Sequence, residues 1–126
     1  MIAMEPIGVV RSGLKSRGGE ANGKEATLEI FPRYRGGLDG LDHLSSIDVI
    51  WYGHLSKETL RVIPMYSSEL KGVFATRSPD RPNPILVSTV RLLSIDIDKG
   101  EVKVEGLDAL DGSPILDIKH PTKPKR

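Results

Sequence analysis

The stretch LLSIDIDKGEVKV (residues 92–104) indicates the fold class, because it combines alternating polarity with a tight turn. Apolar residues occupy every second position on both sides of the turn: Leu93, Ile95, Ile97, Val102 and Val104. Such alternation is typical of half-buried strands. Between the two runs, Asp98-Lys99-Gly100 has the composition of a hairpin turn. The stretch therefore predicts two antiparallel strands.

The rest of the chain is divided by 13 glycines and 9 prolines into short pieces, which favours strands over long helices. Further strands are predicted at residues 7–10, 26–30, 47–55, 73–76, 85–97 and 115–118. The segment IDVIWYGHL (47–55) holds the only Trp and is apolar enough for a central strand. Short helical turns are predicted within 38–44 and 57–63. We expect a mainly β fold, a small antiparallel β-barrel with one or two short helices; a mixed α+β sandwich is the alternative.

Length and composition restrict the class of protein. With 126 residues and 13.8 kDa, the chain is expected to form one domain over residues 1–126, without a C-terminal extension domain. The net charge of +1 does not by itself indicate a nucleic-acid binder. The chain has no cysteine, which excludes disulfides, a thiolate nucleophile and Cys-ligated metals. No apolar run suits a membrane span and the N-terminus does not resemble a secretory signal, so we expect a cytoplasmic protein.

Several common catalytic motifs are absent from the sequence. It contains no G-x-G-x-x-G after a strand, no P-loop and no G-x-S-x-G elbow. The three histidines, His43, His54 and His120, lie far apart in the chain. Their spacing does not match a usual ligand pattern, so no metal site is predicted.

The segment GVFATRSPDRPNPILVS (72–88) is the first candidate site. Its three prolines (79, 82 and 84) fix φ and bias the preceding residues towards extended backbone, which makes the loop stiff. Arg77, Arg81 and Asn83 lie on this loop, and the guanidinium fork suits carboxylate or phosphate. A rigid loop with these side chains is a plausible binding element. The alternative is a surface turn whose arginines are merely solvated.

The segment GLDALDGSP (106–114) is the second candidate site. It follows a predicted strand and turns back through two aspartates and two glycines. Main-chain groups exposed in such a turn can recognise a planar ring. The alternative is a wide hairpin with aspartate caps.

These segments, with PIGVVRS (6–12) and FPRYRGGLDGLDHLSSIDVIWYGH (31–54), resemble the TrmO family, also called TsaA-like or YaeB-like. The string TRSPDRPNP (76–84) is the most specific part of the resemblance. It implies a homodimeric, S-adenosylmethionine-dependent tRNA methyltransferase with the cofactor near the subunit interface. Such enzymes are small β-barrels that methylate the exocyclic amine of N(6)-threonylcarbamoyladenosine, beside the anticodon. The tRNA anticodon loop is thus the expected partner.

The resemblance also implies the residues that bind S-adenosylmethionine. They are Arg17, Gly18, Gly19, Gly53, His54, Arg77, Val87, Leu107, Asp108, Ala109 and Leu110. One departure concerns this site: Leu86 stands where the family usually has Gly, and a Leu there is expected to crowd the ligand. The first loop is also shorter than is usual and lacks the family's Pro-Arg-Gln run.

Arg77, Arg81 and Asn83 are the expected catalytic residues. Arg77 or Arg81 would bind a carboxylate, either the threonyl group of the substrate or the methionine group of the cofactor. Main-chain carbonyls, Asn83 and Asp80 remain alternatives for the group that accepts the amine proton.

Contact with tRNA is expected through a basic face with an aromatic residue, Tyr34 or Tyr52, that stacks on a base. Its expected cations are Arg33, Arg35, Lys71, Arg77, Arg81, Lys123, Lys125 and Arg126. Two rival functions remain open, a non-catalytic barrel that binds S-adenosylmethionine or a nucleotide, and a methyltransferase of the same fold with another acceptor.

Overall fold

The computed structural model describes residues 1–15 and 24–122, and strands dominate it. In chain order the strands are β1 (Gly8–Arg11), β2 (Glu25–Ile30), β3 (Ser46–Tyr52), β4 (Arg61–Val62), β5 (Lys71–Gly72), β6 (Ile85–Asp96), β7 (Glu101–Glu105) and β8 (Pro114–Lys119). Six of them close into an antiparallel barrel in the order β1-β2-β7-β6-β3-β8. The strands β4 and β5 form a separate two-stranded ribbon. The predicted antiparallel barrel is confirmed, and the α+β sandwich is wrong.

The hairpin of β6 and β7 contains the alternating stretch from which the fold class was predicted. Val104 pairs with Leu92 and Val102 pairs with Ile95, with a register shift between Leu92 and Ser94. The shift is a β-bulge, which bends the strand and restores the apolar side chains on both sides of it to the core. The turn ends at Gly100, whose φ of 67° lies in the left-handed region that suits glycine.

The central strand β3 pairs with both β6 and β8 and supplies three buried apolar side chains, Ile47, Val49 and Trp51. The barrel interior is filled by one apolar cluster drawn from every barrel strand. Its fully buried members include Val10, Leu28, Ile47, Val49, Val90, Val102, Val104 and Ile115. Alternate residues of each strand thus face inward, as expected for a small barrel filled by side chains.

The helical content consists of three 3₁₀ segments in the described part of the chain: Pro32–Leu38, Leu41–His43 and Val73–Ala75. The second of them confirms a helical turn within residues 38–44. The strand predicted at 73–76 is wrong, because none of the strands in residues 1–15 and 24–122 pairs with these residues, and the amide of Thr76 instead donates to the carbonyl of Val73. The helical turn predicted at 57–63 is also wrong, since Arg61 and Val62 pair with Gly72 and Lys71.

The long connection from β3 to β6 covers one end of the barrel. It contains the ribbon β4–β5 and the proline-containing loop, and it returns to the barrel beside the residue where it left, since Tyr52 pairs with Ile85. In the described residues, no helix has the length and apolar character needed to cross a membrane. A cleft opens at the end of the barrel where this connection lies.

Candidate functional site

A cleft of about 670 Å³ opens at the end of the barrel where β3 finishes and β6 begins. Residues 53–56 and 85–88 line two of its sides, and Asp108, Leu110 and Ser113 line another. The connection from β3 to β6 contributes Met65, Phe74, Thr76, Arg77, Pro79 and Arg81. The volume lies in the range of sites for cofactors and small molecules.

The structure brings most of the predicted site residues together in this cleft. The residues that line it are Gly53, His54, Arg77, Arg81, Val87, Asp108 and Leu110. Leu107 and Ala109 instead point into the barrel core, where both are buried. Asn83 is exposed outside the cleft lining. Arg17, Gly18 and Gly19 lie outside the described residues.

Arg81 holds the proline-containing loop in shape. Its Nε donates to the carbonyl of Ser78 at 2.7 Å, and its Nη2 donates to the carbonyls of Val73 and Thr76 at 2.6 Å each. The hydroxyl of Thr76 also donates to the carbonyl of Val73 at 2.8 Å. Since most of its donors are directed at the loop backbone, Arg81 braces the cleft wall.

Arg77 has a different environment, although it lies four residues away on the same loop. It is exposed at the cleft, and within residues 1–15 and 24–122 its guanidinium makes no hydrogen bond or ion pair. The braced backbone between Val73 and Arg81 carries it. The geometry therefore presents a cation to any anionic group that enters the cleft.

The loop between β7 and β8 is tied to the segment after β1. Oδ1 of Asp111 accepts hydrogen bonds from the amides of Ser12 at 3.0 Å and Gly13 at 3.3 Å. The hydroxyl of Ser12 donates to the carbonyl of Ala109 at 3.0 Å. The hydrogen bonds from Gly13 and Ser12 lower the pKa of Asp111, against the effect of partial burial. The amide of Asp111 donates in turn to the carbonyl of Leu14 at 2.8 Å, and Leu14 lines the cleft.

A hydrogen-bonded chain of three side chains also lies along the cleft. Trp51 Nε1 donates to Ser88 Oγ at 3.0 Å, and Ser88 Oγ lies 3.3 Å from Asp108 Oδ1. All three residues line the cleft. Trp51 and Ser88 could not be identified from sequence motifs, because Ser88 lies 37 residues from Trp51 and 20 residues from Asp108 in the chain. The signal that points to them is the alternation along β3 and β6, which places both side chains on the more buried face of their strands.

The cleft floor is formed by Gly53 and Leu86. A Cβ on Gly53 would lie 2.6 Å from Ser56 Oγ and 3.4 Å from Leu86 Cδ1. Leu86 is half-buried, lines the cleft and packs against the core cluster. Leu86 thus shares its surface between the core and the cleft.

Other predicted residues are engaged elsewhere. Oδ1 of Asp80 accepts the amide of Lys57 at 2.9 Å. Arg35 donates to the carbonyls of Ile30 and Asp98 at 3.0 and 3.1 Å, which closes the β6–β7 turn onto β2. Arg33 pairs with exposed Glu5. Two arginines of the expected basic face, Arg35 and Arg81, therefore serve as structural braces.

Among the described residues there is no group of three or more His, Asp or Glu side chains placed to hold a metal ion. Lys123, Lys125 and Arg126 of the expected basic face lie outside the described residues.

Comparisons with known proteins give one consistent result. Residues 11–123 match the family described as "tRNA-methyltransferase O N-terminal domain". A protein of Methanothermobacter thermautotrophicus, named "Probable S-adenosyl-L-methionine-binding protein", is 44% identical over 125 residues, which cover 94% of this chain and 88% of the relative. An "S-adenosyl-L-methionine-binding protein" of Archaeoglobus fulgidus is 42% identical, over 92% of this chain and 86% of the relative.

Solved structures agree with these relatives. A crystal structure of TrmO is 33% identical with a TM-score of 0.77, and a crystal structure of TrmO from Pseudomonas aeruginosa is 31% identical with a TM-score of 0.75. Each match covers 97% of this chain but only 58% and 56% of the respective solved chains. The described barrel thus corresponds to little more than half of those proteins.

Proposed function

Because the chain belongs to the tRNA-methyltransferase O N-terminal domain family, we propose that it is an S-adenosylmethionine-dependent tRNA methyltransferase. Its proposed acceptor is the exocyclic amine of N(6)-threonylcarbamoyladenosine, beside the anticodon. Such a substrate would place the protein in the cytoplasm. The proposal is supported by two relatives, of similar length to this chain, that are named as binders of S-adenosyl-L-methionine.

The observation that carries the proposal is the chemistry of the cleft. S-adenosylmethionine has a carboxylate, hydrogen-bond donors on its ammonium and ribose groups, and a planar adenine ring. The cleft offers the Arg77 guanidinium, the Asp108 carboxylate and an apolar wall of Ile85, Leu86 and Val87. Its volume of about 670 Å³ suits such a molecule. The residues present therefore fit this cofactor.

When bound, S-adenosylmethionine supplies a methyl group on a sulfonium that is already activated for transfer to an amine. The chain must then align the amine with the methyl group and exclude water, and positioning alone provides a large part of such a rate enhancement. The braced 73–81 loop and the Trp51 and Leu86 side chains give a rigid, partly apolar enclosure for this alignment. Neither role requires a charged catalytic group.

A proton must leave the acceptor amine during or after transfer, and the cleft contains groups that accept one. With Asp108 assigned to the cofactor, the imidazole of His54 is the remaining side chain in the described lining that is a base near neutral pH, and backbone carbonyls can hold the amine N–H. Asn83 lies outside that lining, and Asp80 Oδ1 already accepts the amide of Lys57. We therefore propose His54 or a cleft carbonyl in place of Asn83 and Asp80.

Arg77 and Arg81 have different proposed roles. Arg77 is the proposed carboxylate ligand, because its guanidinium is exposed at the cleft and makes no hydrogen bond to the described residues. Arg81 acts through the shape of the loop, since it donates to three backbone carbonyls. A carboxylate of the cofactor is the proposed partner of Arg77.

The experiment is a methyl-transfer assay with labelled S-adenosylmethionine and two tRNA preparations, with and without the threonylcarbamoyl group. We expect label in the modified tRNA alone, at the adenosine beside the anticodon, and a strongly reduced rate for His54→Ala if the imidazole accepts the proton. Label in both preparations would show that the threonylcarbamoyl group is not required and that the acceptor is a different group of the tRNA. An unchanged rate for His54→Ala would leave a backbone carbonyl as the proton acceptor.

A second candidate, a barrel that binds S-adenosylmethionine without transferring its methyl group, is favoured by the position of Leu86. This side chain occupies cleft floor where the family usually has glycine, and so reduces the room for an acceptor. Calorimetric binding of S-adenosylhomocysteine without transfer to either tRNA would select this candidate.

We also propose that the protein forms a homodimer through the connection from β3 to β6. Exposed apolar side chains concentrate there: Leu55, Leu60, Ile63, Met65, Tyr66, Leu70 and Phe74. A concentration of exposed apolar side chains commonly marks an association site. Leu55, Met65 and Phe74 also line the cleft, so a partner on this surface would lie next to the cofactor.

A further inference from the structure

Ser88 lies between Trp51 and Asp108 and contacts both through a single oxygen atom. Trp51 Nε1 is 3.0 Å from Ser88 Oγ, and Asp108 Oδ1 is 3.3 Å from the same atom. Trp51 is buried on β3, Ser88 is half-buried on β6, and Asp108 is exposed on the loop after β7. One hydroxyl group thus links the barrel core to a carboxylate at the cleft.

The chemistry of the three groups fixes the direction of these hydrogen bonds. An indole N–H only donates and an ionised carboxylate only accepts, whereas a serine hydroxyl has one proton to donate and lone pairs to accept with. Ser88 Oγ therefore accepts from Trp51, and its single proton points to Asp108. The rigid indole in the core selects one orientation of the hydroxyl.

Asp108 depends on this contact for its orientation. It is the only hydrogen bond made by the Asp108 carboxylate with residues 1–15 and 24–122. An exposed carboxylate on a loop otherwise samples several rotamers, and fixing it before binding removes that entropic cost. With Oδ1 held by Ser88, Oδ2 is available to accept a hydrogen bond from a ligand.

We propose that Ser88 is a positioning residue for cofactor binding, which acts by holding the Asp108 carboxylate towards the donor groups of S-adenosylmethionine. This inference rests on the proposed function, because it takes the cleft ligand to be that cofactor. The competing explanation is structural: Ser88 would merely satisfy the Trp51 N–H, and its loss would affect stability alone.

The same strand offers a matched control. Thr89 Oγ1 donates to Asp48 Oδ1 at 2.6 Å, so it forms a second hydroxyl–carboxylate pair on β6. Neither Thr89 nor Asp48 lines the cleft. The substitution Thr89→Ala therefore removes a comparable contact without affecting the proposed ligand site.

The test is a double-mutant cycle read by calorimetric titration with S-adenosylhomocysteine as the probe. We expect Ser88→Ala to raise the Kd about tenfold, the loss of one oriented hydrogen bond to a charged group, and Asp108→Ala to raise it at least as much. The double variant should bind no more weakly than Asp108→Ala alone, because Ser88 acts through that carboxylate. Ser88→Thr keeps the hydroxyl group and should bind the probe as the wild type does. Thr89→Ala should also bind it with wild-type affinity.

Two outcomes would overturn the inference while the proposed function stands: wild-type affinity in Ser88→Ala, or additive effects of Ser88→Ala and Asp108→Ala. Thermal unfolding of each variant measures how far the loss of the Trp51 hydrogen bond lowers stability. That loss occurs whether Ser88 is replaced in the wild type or in Asp108→Ala, so it cancels in the cycle. Absence of probe binding by the wild-type protein would overturn the proposed function and this inference with it.

Discussion

The carboxylate of Asp111 accepts a hydrogen bond from the backbone amide of Ser12, which lies 99 residues earlier in the chain. The amide of Gly13 donates to the same oxygen atom. One side chain thus joins the loop before β8 to the segment after β1, at the edge of the cleft.

Asp111→Asn should lower the stability of the protein at neutral pH by about 1 kcal/mol, because the amide oxygen is a weaker acceptor than the carboxylate and the site is only half-buried. Urea unfolding followed by circular dichroism measures this change. Asp39→Asn is the control, since Asp39 is exposed and its side chain makes no hydrogen bond within the described residues. An equal effect of both substitutions would contradict the anchoring role.

The same contact predicts a pH dependence of stability. The hydrogen bonds from Gly13 and Ser12 lower the folded-state pKa of Asp111 from its ordinary value of 3.8. A lowered pKa contributes stability that is fully present above the unfolded value and is lost as the pH falls through the folded value. The stability difference between wild type and Asp111→Asn should therefore be constant above about pH 5 and shrink below about pH 4. A difference that grows in acid would contradict the assignment.

Arg81→Ala should destabilise the protein by about 2–3 kcal/mol, because it leaves the carbonyls of Val73, Thr76 and Ser78 without their guanidinium donor. Thermal unfolding measures the effect. Arg81→Lys should recover only part of the stability, since an ammonium lacks the planar fork that reaches three carbonyls. Full recovery by lysine would mean that charge rather than geometry matters.

Arg77→Ala should weaken binding of S-adenosylhomocysteine about 10- to 100-fold and leave the melting temperature unchanged, because Arg77 is exposed and makes no hydrogen bond with the described residues. Methylthioadenosine, which lacks the carboxylate, should bind wild type and variant equally. An equal loss for both ligands would show that Arg77 does not bind the methionine carboxylate. No loss for either ligand would instead leave the threonyl carboxylate of the substrate as the proposed partner of Arg77.

Leu86→Gly should lower stability by about 3 kcal/mol without tightening the binding of S-adenosylhomocysteine. The substitution removes a half-buried side chain that packs against the core, and it places a glycine in a strand. Chemical denaturation and calorimetry measure the two quantities. Tighter binding by the glycine variant would confirm that Leu86 crowds the ligand.

Leu60→Asp and Leu70→Asp should each shift the protein from dimer to monomer, because they introduce a charge into the exposed apolar surface of the β3–β6 connection. Light scattering after size-exclusion chromatography measures the mass. Ile97→Asp is the control, at an apolar residue of the β6–β7 turn that is 37% exposed. A wild-type monomer at high concentration would contradict the proposed interface.

The barrel could be predicted from sequence where a short local pattern is repeated. The alternation at 26–30 and at 92–104 predicts strands, and both strands are confirmed. The predicted inward phase of β6 is wrong in part, because the bulge places Leu92 rather than Leu93 against the core and Ile97 lies exposed in the turn. Residues 73–76 show the limit of such patterns. Their β-branched and aromatic side chains suit a strand, yet Phe74 is 81% exposed and the backbone turns to place the Val73 carbonyl against Arg81.

The candidate site could be predicted only where its residues belong to short local motifs. Arg77 and Asp108 could be identified from motifs, and both line the cleft. The contacts that hold the site together could not, because hydrogen bonds such as Ser12–Asp111 and Trp51–Ser88 join residues that are distant in sequence. Arg81 illustrates the same limit, since only the folded loop shows that its donors are directed at the backbone.

The position of β8 in the barrel has a consequence for the synthesis of the protein. This strand, the last of the six barrel strands in chain order, pairs with both β1 and β3, so a nascent chain has two unsatisfied strand edges until residues 114–119 have emerged from the ribosome. Closure of the ring therefore waits for residues 114–119. A chain interrupted before residue 114 would present both edges to other chains and be prone to aggregate.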